Sequence, residues 1–360
     1  MSEGKFCNIG GAIKQIVGEY CNVNGVIKQG TLNALDISNV IKSVSVGGVA
    51  LFICEQVSDR LYAIDRDQAD LDGWPKYGGT IADPKDVACD SSGNSYWACT
   101  NNIHKVALDG TITWTYAGFP STVLSVCVDA DGNVYAGDYS GTVKKLNSGG
   151  SVVWSQGIGV GPCHALAIDY SANTLYAAFG VSTAGRVYRL LGANGNYSIV
   201  YNSNSTKGPV VSIAIDEGYP DLYIGTNNGY LMKIGTSGYE YWGQSTTHRG
   251  YACEILSVRV GHDGFGYYVN GSHGDVGKFI LSAGATDAWS FNPAGAAYAM
   301  SVAVDQFSKV YASYKIAGSS IYNLVYKLTS AGAEDWNWNP YTTAQMYGLA
   351  VEPGIKAAGF

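Results

Sequence analysis

Ser125-Val126-Cys127-Val128-Asp129 runs into Ala130-Asp131-Gly132-Asn133 and then Val134-Tyr135-Ala136-Gly137. The first phrase sets apolar, β-branched residues beside small ones, which suits a crowded inner strand. Asp-Gly-Asn is turn chemistry, because Gly and Asn tolerate the left-handed backbone that a tight reversal needs. Val134 to Gly137 then reads as a second strand. Gly141-Thr142-Val143-Lys144-Lys145-Leu146 reads as a third with period-two alternation, and Trp154 marks a fourth.

This unit recurs along the chain. Its opening phrase returns as Asp86-Val87-Ala88-Cys89-Asp90, Ala165-Leu166-Ala167-Ile168-Asp169, Ser212-Ile213-Ala214-Ile215-Asp216, Ser257-Val258-Arg259-Val260-Gly261, Ser301-Val302-Ala303-Val304-Asp305 and Gly348-Leu349-Ala350-Val351-Glu352. The seven copies are 39, 40, 47, 45, 44 and 47 residues apart. A Tyr-small strand follows most copies, as in Ser95-Tyr96-Trp97-Ala98, Leu175-Tyr176-Ala177-Ala178, Leu222-Tyr223-Ile224-Gly225 and Val310-Tyr311-Ala312-Ser313. Tryptophan marks the fourth strand again at Trp114, Trp242, Trp289, Trp336 and Trp338. Four short strands per unit of about 44 residues, separated by glycine turns, are the signature of a β-propeller blade.

The ends of the array are complementary. Val49 to Cys54, Arg60 to Ile64 and Gly73 to Tyr77 supply second, third and fourth strands without an inner one. Met346 to Glu352 supplies an inner strand with nothing behind it. The expectation is an all-β, seven-bladed β-propeller of four-stranded blades over residues 46–353. A C-terminal inner strand would close the ring and remove exposed sheet edges. Residues 354–360 form a tail.

Residues 1–45 differ from the array. Cys7-Asn8-Ile9-Gly10-Gly11-Ala12-Ile13-Lys14-Gln15 returns 14 residues later as Cys21-Asn22-Val23-Asn24-Gly25-Val26-Ile27-Lys28-Gln29. Each copy predicts a small hairpin, two apolar strands around a Gly or Asn-Gly turn. A lone hairpin is marginal in water, so this appendage needs something to pack against.

Composition narrows the function classes. With 47 Gly and 14% charged residues among 360, the chain is rich in glycine and poor in charge. A net charge of −7 argues against a nucleic-acid binder, and no apolar run approaches the ~20 residues of a membrane helix. No signal peptide is legible at Met1 to Phe6. The eight cysteines are sparse, form no CxxC and lie mostly in apolar runs, so they read as buried free thiols.

Candidate chemistry is thin. The acids Asp90, Asp129, Asp169, Asp216 and Asp305 close the inner strands, where an Asp caps the following turn. Asp129 to Asn133 opens like a calcium loop but has no later glutamate, so no metal is expected. The five histidines (His104, His164, His248, His262, His273) make no HExxH pair. Cys163 and His164 are neighbours on one strand and point to opposite faces, which denies them a nucleophilic partnership. Gly157 to Gly161 carries glycines but precedes a strand, not a helix that could meet a phosphate. Neither a catalytic residue nor a cofactor is predicted.

The blade phrase, best seen in Asp131 to Gly137, Gly141 to Leu146 and Trp154, resembles quinoprotein-like propeller repeats. The resemblance spans residues 46–353. It implies the propeller fold but not quinone chemistry, because the eight blades and calcium ligands of those enzymes have no counterpart here. The paired repeats of residues 7–29 resemble short segments of bacteriophage tail and fibre proteins. That resemblance implies a component of a virion or tail-like particle, made in the host cytoplasm without a signal peptide. Asn8, Ile9, Ile13, Asn22, Val23 and Ile27 would attach it to other virion or tail proteins.

Recognition is then expected from the loops that join fourth to first and second to third strands, which share one propeller face. Asp138, Tyr139, Asn227, Asn228, His248, Arg249, Tyr251, His273, Tyr298, Tyr314 and Tyr341 fall there. Tyr and Asn on rigidly held loops suit a host surface glycan or protein. Three other readings stay open: a propeller lyase or glycosidase with carboxylates, or His with Tyr, converging at the channel mouth; a cytoplasmic protein-interaction scaffold; and a purely architectural virion protein whose loop face is buried against neighbouring subunits.

Overall fold

The computed structural model describes residues 5–9, 12–17, 20–23 and 26–29, and 51–351 except 56–58, 66–69, 72, 78–80, 182, 217–218, 249–250, 272, 283, 294–295, 306–307, 317–322 and 339–345. The chain divides into two compact units, Met1–Gly48 and Val49–Phe360. Every regular element among the described residues is a β-strand.

In the larger unit, six antiparallel sheets are each built from four strands consecutive in sequence. The second is representative: Val123–Val128, Val134–Asp138, Thr142–Leu146 and Val152–Gly157, in that spatial order. A further four-stranded sheet is composite. Met346–Val351 pairs with Leu51–Glu55, which pairs with Arg60–Ile64, which pairs with the two-residue strand Lys76–Tyr77. The unit is thus an all-β propeller of four-stranded blades. Inner strands lie beside one another in sequence order, and Met346–Val351 lies beside both Ala296–Val304 and Asp86–Cys89.

The core sits between sheets. Leu349, Leu51 and Ile53 of the composite sheet pack with Ala303, Tyr311 and Val325 of the sixth sheet. On its other face Phe52, Cys54 and Leu61 pack with Val87, Trp97 and Val106 of the first. Second strands are buried along their whole length, as in Val134–Asp138 and Ser95–Cys99, because both faces are covered by neighbouring sheets. Fourth strands alternate towards solvent, as in Ile112–Ala117.

Repeated polar contacts explain the repeated residues. Asp129 Oδ1 accepts the backbone N–H of Asp131 (3.0 Å) and Asn133 (2.8 Å), while Oδ2 accepts the Tyr135 hydroxyl (3.1 Å). Asp90 with Tyr96 (2.9 Å) and Asp305 with Tyr311 (3.2 Å) repeat the arrangement. Asp90, Asp129 and Asp305 are turn caps, as their sequence position predicts, and each also satisfies a buried tyrosine; Asp169 caps its turn alone. Between sheets, fourth-strand tryptophans reach the next sheet's last turn. Trp114 Nε1 donates to Ser148 O (3.0 Å), Trp154 Nε1 to Gly192 O (3.0 Å) and Trp289 Nε1 to Ser330 O (3.0 Å). Gly195 supplies a flat seat for the Trp154 ring: its φ is +74° and a Cβ there would lie 2.8 Å from the indole.

In the smaller unit, Lys5–Ile9, Ala12–Val17, Tyr20–Val23 and Val26–Gln29 form one antiparallel meander. The two expected hairpins are therefore halves of a single sheet, joined through Ile16↔Cys21 and Val17↔Tyr20. Each half thereby gains strand partners that a lone hairpin lacks. Asn8 pairs with Ile13 and Asn22 with Ile27 in matching registers, and Ile9 and Val23 close the two turns. Residues 31–45 and the tail 354–360 lie outside the described residues.

Candidate functional site

The two loop families do share a face, and hydrogen bonds tie them together. Tyr139 N donates to Thr122 O (2.8 Å), Gly180 N to Pro162 O (3.2 Å), Asn227 N to Pro209 O (3.1 Å) and Gly271 N to Glu254 O (2.8 Å). Each bond joins the end of a second strand, or the turn after it, to the segment leading into the same sheet's inner strand.

The expected face residues divide on this framework. Tyr139 is 60% exposed, and Tyr298 and Asn227 are also open to solvent. Asn228 is spent on structure, donating Nδ2 to Ser205 O (3.2 Å) and Thr206 O (3.1 Å). Asp138 does not belong to the face: it is fully buried, and its Oδ1 accepts Thr142 N (2.7 Å) and the Ser140 hydroxyl (2.8 Å) to hold its own turn. Tyr314 is likewise fully buried. It lies within the strand Val310–Ile316, against Tyr326 and Phe291, because that strand runs past the Tyr-small phrase. His248 and Tyr251 are register partners in a small ribbon, Thr247–His248 with Tyr251–Ala252, inside what reads from sequence as plain loop. Arg249 and Tyr341 lie outside the described residues.

Cys163 and His164 separate as expected. Cys163 is buried among Phe179 and Leu175, and its thiol pKa is raised by burial and by the charge of Asp138. His164 lines the central cavity instead. The sulfur–imidazole contact that forms is a distant one: Cys253 Sγ lies 2.8 Å from His273 Nδ1. Sequence spacing carries no signal for it, since the two residues sit on different strand connections.

The central cavity, of about 230 Å³ and open at a mouth, is lined by residues from or just before the inner strands of all six consecutive sheets. A β-bulge recurs where these strands begin. The pairing register skips Leu124, His164, Val211, Leu256 and Met300, each just before the repeated phrase. A bulge re-aims a side chain out of the alternation, and all five residues line the cavity. Gly180 leaves room for the imidazole, since a Cβ there would fall 2.6 Å from His164 Nε2.

The first position of the phrase holds neighbouring blades together. Asp86 Oδ2 accepts Val126 N (3.0 Å), Ser212 Oγ accepts Val258 N (2.7 Å) and Ser257 Oγ accepts Val302 N (3.4 Å). In each case the donor is the second phrase residue of the next inner strand.

Two charges break the repeat inside this cavity. Asp86 stands where the other copies have Ser, Ala or Gly, and Arg259 where they have Ala or Cys. Burial pushes the Asp86 carboxyl up, opposed by the N–H of Val126 and by the Arg259 charge. Burial pushes Arg259 down, opposed by Asp86. Asp86 also accepts its neighbour Val87 N (2.9 Å). The Arg259 guanidinium donates to Val258 O (2.9 Å). His164 is held below its usual pKa by burial. Among the described residues no group of three or more His, Cys, Asp or Glu could hold a metal ion.

No family model matches this sequence, and no curated protein does. Among solved structures the chain is similar to the WD40 β-propeller domain of Doa1, at 16% identity with a TM-score of 0.60, covering 75% of this chain and 87% of that one. It is also similar to a protein of unknown function from Bacteroides caccae, at 11% identity with a TM-score of 0.53, covering 85% of this chain and 99% of that one. At such identities the likeness is one of fold, the β-propeller.

Proposed function

We propose that the chain is a non-enzymatic structural or adhesion component of a phage or phage-tail-like particle. The N-terminal sheet anchors it to other virion or tail proteins, and the propeller is displayed to a host surface glycan or protein. The observation that carries this reading is the division into two units, a four-stranded sheet built from the repeated Cys-Asn phrase and a separate propeller. Tyr139 and Asn227, exposed on a loop face braced by backbone hydrogen bonds, and Tyr298, exposed within the strand Ala296–Val304, supply aromatic and amide groups that need little ordering to bind. The composite sheet serves in this reading as the seventh blade and closes the ring. Tryptophans seated on the next blade's glycine turn favour the quinoprotein-like kind of repeat.

Electron microscopy and particle fractionation test the proposal. The full chain should sediment with particles, and a variant lacking residues 1–48 should fold as a propeller and remain free. Recovery of the full chain solely as a free monomer, or incorporation of the shortened chain, would overturn the reading.

A further inference from the structure

We propose that the central cavity binds a compact oxyanion, a carboxylate- or phosphate-bearing molecule no larger than about one sugar, with Arg259 as its anchor. The inference is independent of the particle reading, since it concerns the inside of the propeller and not its loop face or its attachment.

The repeat itself is the first argument. Five copies carry Ala at the third phrase position and one carries Cys, so small side chains fit the packing there. Arginine at that place in one copy alone is a departure that packing does not require. Arg259 is half-buried among the inner strands and so loses part of its hydration, and a cation taken out of water is costly unless it is paired. Among the described residues its hydrogen bond is to the Val258 carbonyl, and Asp86 answers its charge electrostatically without a hydrogen bond to the guanidinium, whose remaining N–H donors are left to a guest. The guanidinium fork has five N–H donors, and it matches a carboxylate or phosphate with two parallel bonds.

The second argument is the balance of donors and acceptors. Among the described residues Asp86 is the carboxylate of the lining, and it already accepts Val87 N, Val126 N and a bond from the Ser125 side chain. Ser212 and Ser257 accept backbone N–H through their oxygens, which leaves their hydroxyl protons to donate. Both serines line the cavity with Arg259. The wall therefore offers side-chain donors around one cation while its carboxylate is engaged, and this favours an acceptor-rich anion. Lys85, at the same mouth, is already paired with Asp83 (2.8 Å). Arg259 is the charge that an anion would meet.

Size is the third. A cavity of about 230 Å³ falls below the roughly 300–1,000 Å³ of drug-sized pockets, which limits the guest to a small molecule.

The experiment titrates the full chain with glucuronate, with inorganic phosphate and with glucose as a neutral control, followed by calorimetry and NMR. Saturable binding of either anion with none of glucose is expected, and the anion that saturates names the group recognised. Arg259→Ala should weaken that binding by roughly tenfold or more, the loss of charge-assisted hydrogen bonds. Since the single variant leaves Asp86 without its countercharge, the double variant Asp86→Ser with Arg259→Ala is made beside it. That pair restores the residues found in other copies, so it should fold and fail to bind. The proposal is overturned if neither anion saturates at millimolar concentration, if glucose binds as well as glucuronate, or if the double variant binds like the parent.

Discussion

Asp129 shows how much one side chain carries in this molecule. Its two oxygens serve two backbone N–H groups, the Asn133 amide and the Tyr135 hydroxyl. Asp129→Ala should cost about 2 kcal/mol in urea unfolding, since three part-buried donors lose their acceptor at once. His164 makes a pH-dependent contribution. Its folded pKa is depressed, so the unfolded chain binds the proton first as pH falls. Stability is then complete above the ordinary pKa of about 6.5 and is lost as pH falls through it. His164→Gln should flatten this component, read as the difference in urea midpoint between about pH 7.5 and pH 5. A variant that keeps the parent's slope would place the titration elsewhere. At this scale the sequence was informative where a residue repeats. Asp90, Asp129 and Asp305 read as caps and are caps. Asp138 and Tyr314 occur at loop-like places without repetition, and only packing shows that both are buried.

Inner strands were legible as elements, while their bulges were not. A bulged residue such as Leu124 or Val211 looks like one more apolar position, and nothing in periodicity separates it from its neighbours. The cavity lining is silent in the sequence for the same reason. The side-chain acceptors at Ser212 and Ser257 were equally silent, because a small residue there reads as a space-saver. Ser212→Ala should cost about 1–3 kcal/mol by stranding the Val258 N–H between blades. Trp154→Ala should cost about 3–5 kcal/mol, combining a lost ring with the lost bond to Gly192 O. Both are measured as shifts of the denaturation midpoint at constant slope, and a changed slope would instead signal a blade that unfolds by itself.

Over the whole molecule, the complementary ends were the strongest message of the sequence, and strands 51–55 and 346–351 are indeed partners. The joining of the two N-terminal hairpins is not legible in the sequence, because each Gly turn looks self-sufficient. Leu349, buried between the composite and sixth sheets, tests the partnership. Leu349→Ala should cost about 2–5 kcal/mol and lower the single transition of the propeller. Two separate transitions would mean that the composite sheet is only loosely held.

The composite sheet also decides how a pull would be borne. Tension arriving through the chain before residue 51 meets a strand, Leu51–Glu55, that is bonded along both edges, to Met346–Val351 and to Arg60–Ile64. A strand held on two sides cannot peel from an edge one bond at a time. It must slide past both neighbours, breaking two ladders together. A tether entering the propeller here is moored to an interior strand, in the place where a fold of consecutive hairpins would have left a loose end.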